Sequence, residues 1–547
     1  MTTSDNKMDR RRFLKTSGLL LGGAAVSPLW PNWASAQELA RQQVIRYASN
    51  HEDIKSMDPV AETNSEEYMI SRLMHEGLVA FPAGHDFALD DLQPGLAERW
   101  ETSQDGKTWT FSLRSGVVFH KGQGEFTAED VKFTYDRIRD PKLGSSHRGR
   151  YANIQEVRIL DKKTVRFTLA SLDILFLYKL APYQGGQIVC KKAASDSLGS
   201  NLPLNPIGTG PFQLKEYRSK ERIIFEPHNG YWKGKPIIQR IEMIFTPDFN
   251  TRVLALLKRE VEAAWYSEVK QPIYERLIKS GLIGDTWAPP NTSAMHFNLT
   301  RKPFDDLRVR QALAYAIDQE KIAKGLMGDL GIPIYSLIPP SAGGLKKEEI
   351  PEEFRYPYNP EKARALLRQA GFANGLSIET MMATTIGNWY QVLQAIQEQW
   401  RQVGVDLKVQ LVDNTTYLDT FRKKDTLAVA YYGGNRGPEP DTFLREFFHS
   451  KSIVTKPTGQ ANVSHYGDIV GNIDSLIDQA SSTLDAKKRS TLYRQAQLQL
   501  LKDLPAYPIT NSKALLARVP TLDLGFKFVD NVSNSYIFNE KTRLLKS

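Results

Sequence analysis

Residues 96–138 read LAERWETSQDGKTWTFSLRSGVVFHKGQGEFTAEDVKFTYDRI, and two different periods succeed one another along them. In TWTFSLR (108–114) the apolar Trp109, Phe111 and Leu113 alternate with polar neighbours, as on a strand with one buried face. Asp105-Gly106 before it and Ser115-Gly116 after it are turn pairs, so a hairpin is expected at Asp105-Gly106. From Phe126 the period lengthens. Thr127 is placed to cap a helix on which Val131, Thr134, Tyr135 and Ile138 share one face.

Working outward, VIRYAS (44–49) alternates like a strand, and Thr63 with Glu66 forms a capping box for a helix reaching Leu73. KTVRFTL (163–169) and RIIFEPH (222–228) are further strands, so the first half is β-heavy. Beyond about residue 295 helices and strands alternate. Val309, Ala312, Leu313, Ala316 and Ile317 make one helical stripe, started by Asp305-Asp306. Asn359 and Pro360 open another helix, with Ala363, Leu366, Leu367 and Ala370 inward, and Gly371 closes it. Trp389, Leu393, Ile396, Trp400 and Val403 form a third, ended by Gly404 and followed by a strand through Leu407, Val409 and Leu411. That β-α-β rhythm, with no internal repeat or low-complexity linker, predicts a mixed α/β chain whose halves pack together.

The chain has 547 residues, 41% hydrophobic and 24% charged, enough for two or more domains. Residues 1–36 have the pattern of a signal peptide: Arg10, Arg11, Arg12 and Lys15, a short apolar run, and Ala34-Ser35-Ala36 for cleavage. Arg10-Arg11-x-Phe13-Leu14-Lys15 has the twin-arginine spacing, with Asp9 in place of the usual Ser or Thr. The apolar run is short of the ~20 residues of a spanning helix and is broken by Gly22, Gly23 and Pro28, so no stable membrane insertion is expected. Those 36 residues carry three of the nine net positive charges, leaving +6 on the rest. Without a long basic block, that balance does not suggest nucleic acid as a partner. Cys190 is the single cysteine, which excludes an internal disulfide and reads as a buried small hydrophobe.

Catalytic patterns are missing from the sequence. Gly208-Thr209-Gly210-Pro211 does not continue as a dinucleotide fingerprint, and Gly106-Lys107-Thr108 lacks the phosphate-loop glycine, since Glu101 stands there. There is no Gly-x-Ser-x-Gly or His-Glu-x-x-His, and the nine histidines are scattered. No catalytic residue, metal ligand or cofactor is therefore assigned.

Several stretches resemble the family 5 extracellular solute-binding proteins, which include dipeptide, oligopeptide and nickel-chelate binding proteins of bacterial ABC importers. They are residues 96–138, IGTGPFQLKEY with NGYWKGKP (207–236), HFNLTRKPFDDLRVRQALAYAIDQEKI (296–322), NPEKARALLRQAGF (359–372), QEQWRQVGVDLKV (397–409), PEPDTFLREFF (438–448) and RSTLYRQAQLQLLKDLPAYPI (489–509). Their order spans nearly the whole chain. The resemblance implies a two-lobed periplasmic binding protein fold of the large class, with mixed sheets, hinge strands and an extra β-rich subdomain in lobe I. Lobe I is expected over 37–294, lobe II over 295–508, and a return to lobe I over 509–547. It further implies a monomeric exported receptor that closes on a small polar solute and delivers it to ABC permease subunits. The solute could be a peptide, an opine, a sugar acid or a metal chelate. A cofactor-independent exported enzyme and a chemoreceptor-coupled sensor remain the alternatives.

The family's ammonium-pairing aspartate maps within AYYGGNRGPEPDTFL (430–444) onto Asn435, or onto Gly434 with a shifted alignment. Neither is charged, which disfavours an ordinary peptide ammonium there. Arg436 beside them suits a carboxylate or phosphate. Glu439 could rescue an ammonium site, while Asp441 reads as the cap of a helix starting near Phe443. By analogy Asn50, His51 and Glu52 follow the first strand into the pocket. Trp265 and Tyr266 lie near the cleft, and Trp389 and Tyr390 begin a lobe II helix from which they could stack on a ligand.

Overall fold

The computed structural model describes residues 36–62, 65–84, 91–195, 203–266, 270–383, 389–421, 425–435, 437, 439–457, 459–528 and 538–546. The signal-peptide residues before Ala36, and Thr63 of the expected capping box, lie outside these. The helix following Thr63 spans Ser65–Met74.

The residues around 96–138 fold much as their periods require. Ala97–Thr102 and Thr108–Leu113 form the hairpin, with Gly106 at φ 68 in its turn. Thr164–Leu169 and Ile154–Asp161 complete a four-stranded antiparallel sheet. Phe111 and Leu113 are buried, but Trp109 is only half-buried. Its indole N–H donates to the Gly106 carbonyl at 3.0 Å, while its ring packs at the edge of the core, 5.6 Å from the Phe176 ring. Thr127 caps the helix Ala128–Arg139 by accepting from the Glu129 N–H, and Asp130 completes a capping box. The predicted face of Val131, Thr134, Tyr135 and Ile138 is buried against the sheet side, each large apolar member contributing about 1.5–3 kcal/mol. This unit has its own apolar core between Val60 and Ile207, in which Cys190 is buried and its thiol pushed up by that burial.

The largest sheet has seven strands, ordered Ile283–Trp287, Ala514–Arg518, Ala263–Tyr266, Val44–Ser49, Arg240–Phe245, Arg222–Pro227 and Phe212–Arg218. Val44–Ser49 sits in the middle, parallel to both neighbours. The alternation expected of VIRYAS gives way to six buried residues, because a central parallel strand is covered on both faces. Arg46 is tolerated there because Glu262 takes its Nε at 3.1 Å and its Nη2 at 2.6 Å.

The second lobe holds a sheet ordered Gly331–Pro333, Ala506–Ser512, Asn291–Phe297 and Val429–Asn435. Beside it Leu376–Ala383 and Val405–Val412 run parallel, joined through the helix Trp389–Arg401 in the expected β-α-β order. Val392, Leu393, Ile396 and Trp400 of that helix are buried. Leu407 is buried but Leu411 is 44% exposed, since the strand's last residues run out towards solvent. Asp306 and Asn359 cap the helices Leu307–Tyr315 and Pro360–Gln369 as their sequences foretell.

The chain passes between the seven-stranded sheet and the second-lobe sheet twice, at 288–290 and at Lys513. The strands on either side of both crossings are paired with each other. The buried Asn511 side chain donates to the Pro289 carbonyl at 2.9 Å, tying the crossings together.

The chain bends at Gly210, yet neither Gly208 nor Gly210 has a positive φ, so backbone freedom is not what requires glycine there. A Cβ on Gly208 would stand 2.0 Å from the Met74 carbonyl oxygen, and one on Gly210 2.6 Å from the Met74 carbonyl carbon. They are glycines because two backbones touch there. Among the described residues no helix is long and apolar enough to cross a membrane, and no group of three or more His, Cys, Asp or Glu side chains is placed to hold a metal.

Candidate functional site

A cavity of about 710 Å³ opens between the β-rich subdomain and the second lobe, with one wall from each. The second-lobe wall is the start of the helix Pro440–Phe448 and the residues beside it. Asp441 is not its cap. Pro440 occupies the first helical position, which its fixed φ suits, and Asp441 follows inside the first turn. The Asp441 carboxylate accepts from Arg445 Nε at 3.1 Å and Nη2 at 3.0 Å, and Arg445 Nη1 donates to Asp478 at 2.8 Å. Those two carboxylates hold the guanidinium's pKa up against its burial. Gly437, Thr442 and Gln460 lie on the same wall.

The subdomain wall is built differently. Tyr68 comes from the helix Ser65–Met74, and His147 precedes the 3-10 turn Arg148–Tyr151. His147 and Arg150 are three residues apart, a spacing that stacks side chains on one face of such a turn. Tyr151 donates its hydroxyl to the carbonyls of Lys179 at 2.8 Å and Gln184 at 3.1 Å, which clamps the opposing segment. From that segment Tyr178 and Gln184 reach the cavity. Arg150 Nη1 donates to Gln184 Oε1 at 3.3 Å, and its guanidinium carbon lies 5.0 Å from the Tyr178 ring centroid.

Arg150 has no carboxylate within ion-pair distance among the described residues, and its Nε and Nη2 are buried without an acceptor. His147 is 7% exposed and bonds the Glu62 backbone through its ring, while Nε2 has no partner. Burial first, and then the charge of Arg150, lower its pKa to about 4, so the imidazole is neutral at pH 7. Behind the wall, burial raises Glu62 to about 8, outweighing its hydrogen bonds to Ser71 and Gln187.

The residues singled out from sequence are spread over other surfaces. Asn50 and His51 follow Val44–Ser49 half-buried, His51 Nδ1 lying 2.8 Å from Asn50 Oδ1 and 3.6 Å from Glu66, and Glu52 is exposed. Trp265 and Tyr266 end the strand Ala263–Tyr266; Trp265 is half-buried, and Tyr266 is buried against Phe249 and Arg252. Trp389 is buried edge-on to Tyr431 and Tyr432, and Tyr390 is half-buried. Gly434 and Asn435 end the strand Val429–Asn435, paired with Thr292 and Asn291. The Asn435 side chain and all of Arg436 lie outside the described residues. The lining of the cavity holds the neighbouring Gly437 and Asp441 but none of these candidates.

Sequence reasoning passed over His147 and Arg150 in SSHRGRYA (145–152). The available signal was two basic side chains three apart in a glycine-containing loop with no acid near them in sequence.

A family model described as bacterial extracellular solute-binding proteins, family 5 middle, matches residues 91–454. The Escherichia coli K12 dipeptide-binding protein is 34% identical over 475 residues, covering 80% of this chain and 84% of that protein. The solved binding protein MoaA of A. tumefaciens R10 in complex with mannopinic acid superposes with a TM-score of 0.78 at 30% identity, over 92% of this chain and all of that one. An ABC transporter-associated periplasmic binding protein of Helicobacter pylori, in complex with the peptide STSA, gives 0.75 at 27% identity, over 92% and 98% of the two chains.

Proposed function

The chain belongs to the bacterial extracellular solute-binding proteins of family 5, and from that premise we propose how it works. It is the substrate-binding component of an ABC importer, acts in the periplasm, and binds its solute without turning it over. The observation that carries this reading is the cavity walled by both lobes of a molecule whose halves join through two short crossings. A solute bridging such walls favours the closed form by its differential affinity for it. The relatives' solutes, a dipeptide and mannopinic acid among them, support a small polar organic ligand.

In this reading residues 1–36 direct export by the twin-arginine route and are removed, and the mature chain acts as a monomer. Lobe I covers 37–294 with the return over 509–547, and lobe II covers 295–508. Beyond the cavity's own lining, Gly434, Asn435 and Arg436, just ahead of Gly437 in the chain, are contacts made from lobe II by a solute that extends past the cavity, with Trp389 and Tyr390 beside them. Asn50, His51, Glu52, Trp265 and Tyr266 face it from lobe I.

Native mass spectrometry of freshly purified protein is expected to show a retained small solute. A thermal-shift series with that solute should reach about 2.7 kcal/mol of stabilisation at a hundredfold excess over Kd. Chemical conversion of the solute by the purified protein would overturn the receptor reading.

A further inference from the structure

We infer that Arg150, with His147 beside it, forms an anion subsite on the subdomain wall, which takes a carboxylate flanked by a hydroxyl or amine donor. This deepens the receptor reading and rests on the cavity being the solute site. The first support is an imbalance of charge within the cavity. Arg445 on the facing wall is already held by Asp441 and Asp478, and Lys179 by Asp173 at 2.5 Å. Asp441 and Glu446 line the same space as Arg150, but among the described residues no carboxylate lies within ion-pair distance of its guanidinium, and two of its buried N–H groups have no acceptor. Unpaired donors of this kind cost stability, and a bound carboxylate accepting two parallel N–H bonds removes the cost.

The second support is His147. Its ring is tied to the Glu62 backbone on one side, so in the neutral form Nε2 is an unpartnered acceptor lining the same cavity. An acceptor lining the same cavity as a guanidinium matches a ligand group carrying a donor next to its acid. Amino acids, hydroxy acids and sugar acids have that chemistry, whereas a simple sugar or an amine does not. Among the described residues Gln184 accepts from Nη1 at 3.3 Å and the neighbouring Tyr151 phenol oxygen also takes a hydrogen bond from the guanidinium, which leaves Nε and Nη2 open. Gln184 has φ 51, a backbone state costly for a residue with a side chain, which is consistent with a position held for a purpose. The entering carboxylate accepts from Nε and Nη2, the two unpartnered donors on one edge of the guanidinium, and leaves Gln184 on Nη1.

Calorimetric titration of mannopinic acid, agropinic acid and the dipeptide Met-Leu into the wild type, Arg150→Gln and Arg150→Lys tests this. For each acid the wild type binds, Arg150→Gln is expected to bind at least about tenfold more weakly, with Arg150→Lys between. Thermal melts of the variants show that they are folded. Equal affinity in Arg150→Gln overturns the subsite and leaves the receptor reading standing. Should the wild type bind none of the three, acetate decides: the Arg150 Nε–H resonance moves with acetate and not with acetamide if the subsite exists. An unmoved resonance overturns it. The receptor reading is judged separately, by the retained solute in native mass spectrometry.

Discussion

Two arginines face one cavity, and they are opposites. Arg445 is gripped by two carboxylates, whereas Arg150 has an aromatic ring, a glutamine oxygen, the Tyr151 phenol oxygen and, among the described residues, no acid. A neutralised guanidinium is part of the scaffold, since its hydrogen-bonding capacity is used within its own lobe. An unneutralised one carries a standing cost that a ligand can relieve. The second-lobe wall is therefore built for stability and the subdomain wall for binding, a difference that stability and titration measurements can break or sharpen.

The largest effect is expected on the rigid side. A Cβ at Gly433, on the strand leading into the second-lobe wall, would stand 1.7 Å from the Thr292 carbonyl oxygen of the paired strand. Gly433→Ala should cost about 3 kcal/mol or more in chemical denaturation; a loss below about 1 kcal/mol would show that this wall gives. Next comes the pair itself. Arg445→Ala should lose about 2 kcal/mol by stranding Asp441, while Arg150→Gln stays within about 0.5 kcal/mol of wild type or gains. Equal losses in the two variants would erase the distinction drawn between the walls.

The pH dependence separates the groups behind the subdomain wall. Glu62 holds its proton to about 8 in the folded protein, against an ordinary value of 4.5. The unfolded chain gives that proton up first, so stability falls as pH rises through this window, by about 1.4 kcal/mol per unit at most. Glu62→Gln should abolish that decline in melts taken from pH 5 to 8. His147, at about 4 against 6.5, acts in the other sense. Its contribution is present above 6.5 and lost as pH falls towards 4, together with those of His75 and His296, which burial also lowers to about 4. The smallest effect is on His147 itself. Its titration, followed by NMR, should move up by less than about one unit in Arg150→Gln, because one repelling charge is gone.

What the sequence made legible was local. Thr127, Asp306 and Asn359 cap their helices through atoms two or three residues away, so their roles are written in adjacent letters. The fold class and the family followed from ordered stretches of that kind. What escaped depended on distant partners. The central place of Val44–Ser49 in its sheet comes from strand partners some 200 residues on. Gly208 is small because of Met74, and Arg445 is held by Asp478, 33 residues on, as well as by Asp441. Arg150 is the extreme case. Its significance is the lack of a counter-charge, and no reading of neighbouring letters reveals what an entire fold leaves out.

The doubled crossing at 288–290 and Lys513, pinned by Asn511 on Pro289, has a mechanical meaning. A single tether would let the lobes swing and twist independently, whereas two strands fixed side by side behave like a door on two pins. One angle then describes the molecule, and occupancy of the cavity becomes a single number that any surface touching both lobes can gauge.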